Sequence, residues 1–242
     1  MKQDEGFEQG QKLLTAVERI LDDSENLIAL GDRYLATAKA KGLDGESARG
    51  AAAQEAVRHF SNLSALSGGA ASLPALFPGI GSVVAMTGGS LADMGLVLKF
   101  EVEMALVLTH LRGFDIRRSE ERQLAFLLAS VSTYDAKSGR NFFVDVAEAE
   151  GVALWNYAPR QVSKLLLSVL AKLALLQVSK SLVRAVPLVG IAVGSSVNKV
   201  LTRKVGLRCI AQLEQRGAPA DGRERDEAEV VEAKVKRKAK AS

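Results

Sequence analysis

Two stretches of this chain combine proline, glycine and aliphatic residues with almost no charge, and they limit the fold more than any other feature. They are "LPALFPGIGSVVAMTGGSLADMG" and, about a hundred residues later, "RAVPLVGIAVGSSVNKVLTRKVG". In each of them a proline stands three residues before a glycine, Pro78 before Gly81 and Pro187 before Gly190. Because proline interrupts a helix and glycine permits close backbone approach, each stretch predicts a break next to a closely packed helix.

The rest of the chain favours helices over strands. Aromatic residues make up only 5% of the 242 residues, and alanine and leucine supply much of the apolar content. Unbranched apolar side chains lose little freedom in a helix, whereas strands prefer β-branched and aromatic ones. The apolar residues at 13, 17, 20, 27 and 34 form the stripe of an amphipathic helix, and no long stretch alternates as a strand does. The sequence therefore predicts an all-α fold.

Local signals divide the chain into separate helices. The stretch "AKGLDGES" interrupts the N-terminal helix, and Gly113 suits the end of a long helix that begins near residue 91. Ser119 is a predicted N-cap, and Pro159 suits the first turn of a later helix. We expect a multi-helix bundle built around two pseudo-repeated hairpins that contain the Pro/Gly stretches, residues 73–112 and 165–216.

The composition also suggests three regions along the chain. Residues 1–58 are predicted to form a helical extension, and residues 59–217 the helical domain that holds both hairpins. Residues 218–242 have too few large apolar side chains to order themselves and are predicted to form a disordered charged tail.

The net charge of +4 is unevenly distributed along the chain. The segment "KVKRKAK" holds five basic residues, and five acidic residues stand just before it. The basic segment is able to attract anionic lipid, but a solvated end is an equally simple interpretation. The remainder of the chain is close to neutral, so we expect no nucleic-acid partner.

Known catalytic and metal-binding patterns do not occur in this sequence. The single cysteine, Cys209, excludes an intramolecular disulfide and is typical of a reducing cytoplasm. His59 and His110 lack the spacing of zinc ligands. Neither a G-x-S-x-G elbow nor a phosphate-binding loop is present. We therefore expect no cofactor, no metal ion and, on balance, no enzymatic activity.

Small residues form a series with helical spacing in the second stretch. Gly190, Gly194 and Asn198 follow one another at intervals of four residues and share one helix face. Gly81, Ala85 and Gly89 form a possible matching face. Such faces allow close helix contact, either between two helices that enter a membrane together or inside a bundle in water. The sequence leaves both interpretations open.

Two acidic residues lie on a helix that is otherwise apolar. Asp93 and Glu101 are eight residues apart, hence nearly on one face, and a buried carboxylate needs a partner or takes up a proton. Candidate partners from the second stretch are Arg184, Asn198 and Lys204. The group is either a polar site for a cation or a head group, or a structural ion pair.

The neighbouring residues Lys99 and Glu103 form an i,i+4 pair. We expect this pair on a solvated helix face, where such pairs are common.

The order of the segments resembles the EcsC family of bacterial helical proteins. The resemblance covers roughly residues 60–217 and includes "GGSLADMGLVLKFEVEMAL", "LRGFDIRRSEER" and "VRAVPLVGIAVGSSVNKVLTRKVGLRCIAQLEQR". Its most specific part is the P-x-x-G-x-x-x-G-x-x-x-N pattern from Pro187 to Asn198. A similar hairpin occurs in a helical domain found beside bacterial GTPases. The resemblance implies a helical architecture in a bacterial cell and attaches no reaction to it.

Three functions are compatible with these features. The first is a non-enzymatic, amphitropic accessory protein in the cytoplasm or on the inner face of the membrane, which contacts lipid or a membrane protein through the Pro/Gly hairpins. The second is a soluble adaptor or regulatory module that binds a protein such as a GTPase. The third is a hydrolase that uses Asp93 and Glu101.

Overall fold

The computed structural model describes residues 2–67, 89–139, 154–181 and 190–217, and all regular structure in these ranges is helical. In chain order the α-helices are α1 (Lys2–Ile20), α2 (Ser24–Ala40), α3 (Gly45–Ser67), α4 (Gly89–Leu111), α5 (Ser119–Ser138), α6 (Pro159–Ser181) and α7 (Gly190–Arg216). One 3-10 turn, Leu154–Asn156, precedes α6. The predicted all-α, multi-helix bundle is confirmed.

Helix α4 is the centre of the bundle. It packs against all six of the other α-helices of the described chain, and every residue from 100 to 109 is buried. Apolar residues occur on every side of this helix, as expected for one that other helices surround. Helix α7 packs against α3, α4 and α5, while α1 packs against α6 and α4.

The N-terminal region differs from its predicted course. The amphipathic stripe predicted one helix up to about residue 40, but the structure has two, because Asp23 caps a new helix. Its carboxylate accepts a hydrogen bond from the Asn26 backbone N–H at 2.8 Å. The suggested boundary between residues 58 and 59 falls inside α3, which continues without a break to Ser67.

The later helix boundaries at Gly113, Pro159 and Ser119 lie at the predicted residue or one residue away from it. Gly113 adopts a left-handed conformation with φ of 90°, and its N–H donates to the His110 carbonyl at 2.8 Å, closing α4. Helix α6 begins at Pro159 as predicted. The N-cap of α5 is Arg118, one residue before the predicted Ser119, and its side chain makes no capping hydrogen bond.

The helices that flank the Pro/Gly stretches share one end of the bundle. Thr202, at the middle of α7, contacts Ser64 near the end of α3 and Glu101 at the middle of α4. Four residues further along α7, Gly206 lies against Val57, which is earlier in α3, and against Met104, which is later in α4. Helix α3 is therefore antiparallel to α7, and α4 is parallel to it. Both stretches thus join the described helices at this end. Residues 68–88 and 182–189 themselves lie outside the described residues.

Glycine allows the closest helix crossings in this bundle. A Cβ atom on Gly206 of α7 would lie 2.7 Å from Val57 Cγ2 of α3 and 2.8 Å from Met104 Sδ of α4. A Cβ on Gly10 of α1 would lie 2.7 Å from the backbone nitrogen of Ala171 in α6. A side chain at Gly10 would push α1 away from the backbone of α6, and one at Gly206 would displace the Val57 and Met104 side chains.

Candidate functional site

Glu101 lies at the centre of the bundle within a network of hydroxyl groups. Its side chain is 0% exposed. The Thr133 hydroxyl of α5 donates to Glu101 Oε2 at 2.6 Å, and the Thr202 hydroxyl of α7 lies 3.0 Å from Glu101 Oε1. The Ser64 hydroxyl of α3 lies 2.8 Å from that of Thr202. Four helices thus meet through one carboxyl group.

Each threonine in the network has a second acceptor within reach. The Thr133 hydroxyl also lies 2.8 Å from the Ala129 carbonyl, and the Thr202 hydroxyl has Ser64. A hydroxyl carries one proton, so it donates to only one of its two neighbours at a time. When Glu101 is ionised it accepts from both threonines; when it is protonated it donates to one of them, whose proton then turns to the other acceptor. The network accommodates both protonation states.

Burial raises the pKa of the Glu101 carboxyl above its ordinary value. The hydrogen bonds from Thr133 and Thr202 and the positive charge of Lys137 act in the opposite direction and are smaller effects. Among the described residues, Glu101 is fully buried and lines neither the cleft beside Trp155 nor the cleft beside Arg112. The described residues therefore give the hydrolase hypothesis no support.

The pair of Lys99 and Glu103 is buried rather than solvated. The Glu103 side chain is 3% exposed and that of Lys99 13%, with Lys99 Nζ 2.5 Å from Glu103 Oε1. The backbone N–H of Asp22 donates to the same carboxylate at 2.9 Å. The expectation of a solvated pair was wrong, because α4 is enclosed by other helices. Glu103 instead ties the turn between α1 and α2 to the centre of the bundle.

The described residues that the sequence proposed as a site differ in their burial. Glu101 is fully buried, Asp93 and Asn198 are half-buried, and Lys204 is exposed. Lys204 is therefore not the partner of Glu101 that the sequence suggested; threonines take that role. Gly190 and Gly194 lie in the first two turns of α7. Outside the described residues lie Pro78, Gly81, Ala85, Arg184 and Pro187.

The polar partners of Glu101 were missed, although their spacing carried a signal. The small-residue series at 190, 194 and 198 continues in steps of four to Thr202 and Gly206. Both of these residues are buried against α3 and α4. The part of the face that holds Thr202 and Gly206 therefore packs inside the bundle. The two interpretations of Gly190, Gly194 and Asn198 stay open.

The opposite side of α7 is exposed and carries both apolar and basic side chains. Val197, Val200 and Leu207 are 53%, 67% and 43% exposed, and their spacing places them on one side of the helix together with Lys204. We define the outer face of α7 as Val197, Lys199, Val200, Arg203, Lys204 and Leu207. Within the described part of the chain its three basic residues form no salt bridge.

Charge on α7 has a single sign over most of its length. Residues 190–213 contain four basic residues and no acidic one; the first acidic residue is Glu214. Among the described residues, Arg208 alone of the four pairs with a carboxylate, with Arg208 Nη1 3.2 Å from Asp135 Oδ2. An exposed apolar stripe flanked by basic groups is typical of helices that lie on anionic surfaces.

A polar cleft of about 430 Å³ lies at the far end of the bundle, between α3 and α7. Arg112 spans it, pairing with Glu46 at 2.7 Å and with Glu214 at 2.9 Å. Because its guanidinium is already held by two carboxylates, the arginine joins the two helices and offers little charge to a ligand.

An apolar cleft of about 360 Å³ lies beside Trp155. Arg216 lies at its edge, stacked 3.7 Å above the Phe114 ring and bound through both guanidinium nitrogens to Glu121 at 2.7 and 2.8 Å. These contacts fix the end of α7 against α5.

Two further properties of the described helices bear on function. None of those helices has the length and apolar character needed to cross a bilayer. Within the same residue ranges, histidine, cysteine, aspartate and glutamate side chains form no group of three or more that could hold a metal ion.

Comparison with protein-family models, with curated proteins and with solved structures finds no match for this chain. The resemblance to the EcsC family stays a prediction. The function therefore has to be argued from the residues themselves.

Proposed function

We propose that this protein is a non-enzymatic, amphitropic accessory protein that binds anionic membrane surfaces through the outer face of α7. The observation that supports the proposal is the composition of this face. Three apolar side chains stand exposed among three basic ones, with no acidic residue in between. The cytoplasm and the inner face of the membrane are the places where such a protein acts.

Simple energetics favour weak and reversible binding. Each basic residue close to an anionic surface contributes about 1 kcal/mol, so Lys199, Arg203 and Lys204 together supply about 3 kcal/mol. Burying the exposed parts of the three apolar side chains adds a similar amount, since complete burial of one such side chain is worth roughly 1.5–3 kcal/mol. The total is comparable to one acyl anchor, whose membrane binding is marginal and reversible.

The test is co-flotation of the full chain with vesicles of phosphatidylcholine alone and of phosphatidylcholine mixed with phosphatidylserine. The protein is expected to float with the anionic vesicles and to stay behind with the neutral ones. A triple variant, Lys199→Gln, Arg203→Gln and Lys204→Gln, should bind the anionic vesicles about a hundredfold more weakly, the equivalent of the lost 3 kcal/mol.

The matched control removes the same charge elsewhere. Lys41, Arg160 and Lys164 are exposed and lie on α6 or just after α2. Their triple glutamine variant should float like the unchanged protein. If both triple variants float equally well, the outer face is not the membrane contact. If the unchanged protein floats with neither vesicle, the proposal fails, and a protein partner for this face becomes the leading hypothesis.

A further inference from the structure

The outer face of α7 places apolar side chains in water unless something covers it. Val200 is 67% exposed and Val197 53%, and no described helix packs on this side of α7. Exposed apolar patches of this kind mark binding surfaces in most proteins. The chain itself supplies a segment that suits this surface.

That segment is "ERDEAEVVE", residues 224–232. It contains five acidic residues and one arginine, a net charge of −4, together with two valines and an alanine. The outer face of α7 carries the opposite charge and also has apolar side chains between its charged ones. Opposite charges near a protein surface attract one another, and several weak pairs act together where two oppositely charged segments meet. The two surfaces are therefore complementary in both charge and apolar character.

The length of the intervening chain allows the contact. Lys204 lies thirteen positions before Gly217, a distance of about 20 Å along the helix axis. Residues 218–223 span about 20 Å when extended. Residue 224 is thus able to reach the level of Lys204, and the next eight residues cover the remaining distance of about 10 Å to Val197.

We propose that residues 224–232 bind the outer face of α7 and cover it until an anionic surface displaces them. The contact is intramolecular and has a short linker, so its effective concentration is in the millimolar range, and modest affinity suffices. An anionic membrane competes for the same three basic residues. The displacement of residues 224–232 by a membrane rests on the proposed function, whereas their binding to α7 does not.

The fraction of time for which residues 224–232 cover the outer face of α7 can be measured without lipid. The measurement uses the reactivity of a single exposed thiol. The natural Cys209 is fully buried, and burial raises its pKa to about 12, so it reacts very slowly. A Val200→Cys variant of the full chain adds one exposed thiol in the middle of the outer face. Its rate of reaction with the uncharged reagent N-ethylmaleimide reports how often the face is open.

The comparison variant neutralises the acidic segment by Glu224→Gln, Asp226→Asn, Glu227→Gln, Glu229→Gln and Glu232→Gln. If the segment covers the face for nine-tenths of the time, the Val200→Cys thiol should react about tenfold faster once the segment is neutralised. Sodium chloride at about 1 M, where charges are screened beyond about 3 Å, should remove most of the difference. An Ala36→Cys thiol on the exposed side of α2 should react at one rate in both backgrounds.

Equal rates for the Val200→Cys thiol in the two backgrounds would overturn the inference. The same neutralised chain, without the added cysteine, is then compared with the unchanged protein in the flotation assay. Neutralising five acidic residues beside "KVKRKAK" also strengthens lipid attraction by itself, so Lys199→Gln, Arg203→Gln and Lys204→Gln are added to the neutralised chain. Faster thiol reaction together with stronger vesicle binding that these three changes abolish supports both proposals. Faster thiol reaction without flotation of either protein leaves the coverage of α7 in place and rejects the membrane function.

Discussion

Helices α4 and α7 each follow one of the two Pro/Gly stretches, yet their surroundings have almost nothing in common. Helix α4 is enclosed by six helices and buries two carboxyl groups, Glu101 and Glu103. Helix α7 buries only one side, which holds Thr202 and Gly206, and leaves valines and basic residues exposed on the other. Two helices that follow similar Pro/Gly stretches thus differ in how much of their surface is buried.

The difference shows where a function is to be sought. A buried acid whose hydrogen bonds come from neighbouring helices joins those helices, and its chemistry is closed to solvent. An exposed face that combines apolar and basic side chains is instead typical of a binding surface. We therefore attribute a structural role to the buried carboxyl groups of α4 and propose α7 for the contact with partners.

The largest expected effect tests the buried ion pair of α4. Lys99→Met leaves Glu103 buried with only the Asp22 N–H as a partner, and should lower the free energy of unfolding by about 3 kcal/mol. The matched control is Lys12→Met on α1, which removes an exposed i,i+4 pair with Glu8 and should change nothing measurable. Urea denaturation at pH 7 measures both. Equal midpoints for the two variants would mean that the Glu103 pair behaves as a surface pair.

A smaller effect is expected where α7 touches α4. A methyl group at Gly206 meets Val57 and Met104 at less than 3 Å, so Gly206→Ala should cost about 1–3 kcal/mol through overpacking. Gly50 is also inside a helix, but a Cβ there meets nothing within 4 Å, and Gly50→Ala should stabilise by about 0.5–1 kcal/mol. Thermal denaturation of both variants checks the opposite signs. Stabilisation by Gly206→Ala would show that the two helices are able to separate without loss.

The local parts of the fold were predictable because their causes are local. Gly113 and Pro159 determine the end of one helix and the start of another through their own backbone preferences, and both predictions are confirmed. The division between α1 and α2 was missed because the apolar stripe continues from Val17 to Leu27 across it. Only the Asp23 cap, a short polar signal within a long apolar pattern, marks the break.

The site was less predictable because its partners come from distant parts of the chain. A lysine and a glutamate four residues apart look alike on a solvated helix and in a core, and only the central position of α4 distinguishes them. Thr202 carries no charge to suggest a partner for Glu101. Its position in the four-residue series with Gly206 was visible in the sequence, but its contact with Glu101 depends on how α7 packs against α4.

The smallest effect concerns Glu101, the carboxyl group of α4 that is hydrogen-bonded to Thr202 of α7. Glu101→Gln keeps the shape and the acceptor oxygen, and its amide is able to donate to Thr133 or Thr202, so the variant should fold normally. Below the pKa of the unfolded carboxyl, near 4.3, the two proteins should have nearly equal stability, since Glu101 is then protonated and also uncharged.

The difference should appear as the pH rises. Burial raises the pKa of Glu101 in the folded state, so between the unfolded and folded values the folded protein binds more protons than the unfolded chain. The stability that Glu101 contributes is therefore complete at low pH and is lost as the pH rises through the folded value. Glutamine does not ionise, so Glu101→Gln should become progressively more stable than the unchanged protein above about pH 5. Urea midpoints for both proteins from pH 4 to pH 9 measure this difference. A difference between the two urea midpoints that stays constant from pH 4 to pH 9 would show that the threonine hydrogen bonds offset the burial of the charge. The contact between α4 and α7 would then not depend on the protonation of Glu101.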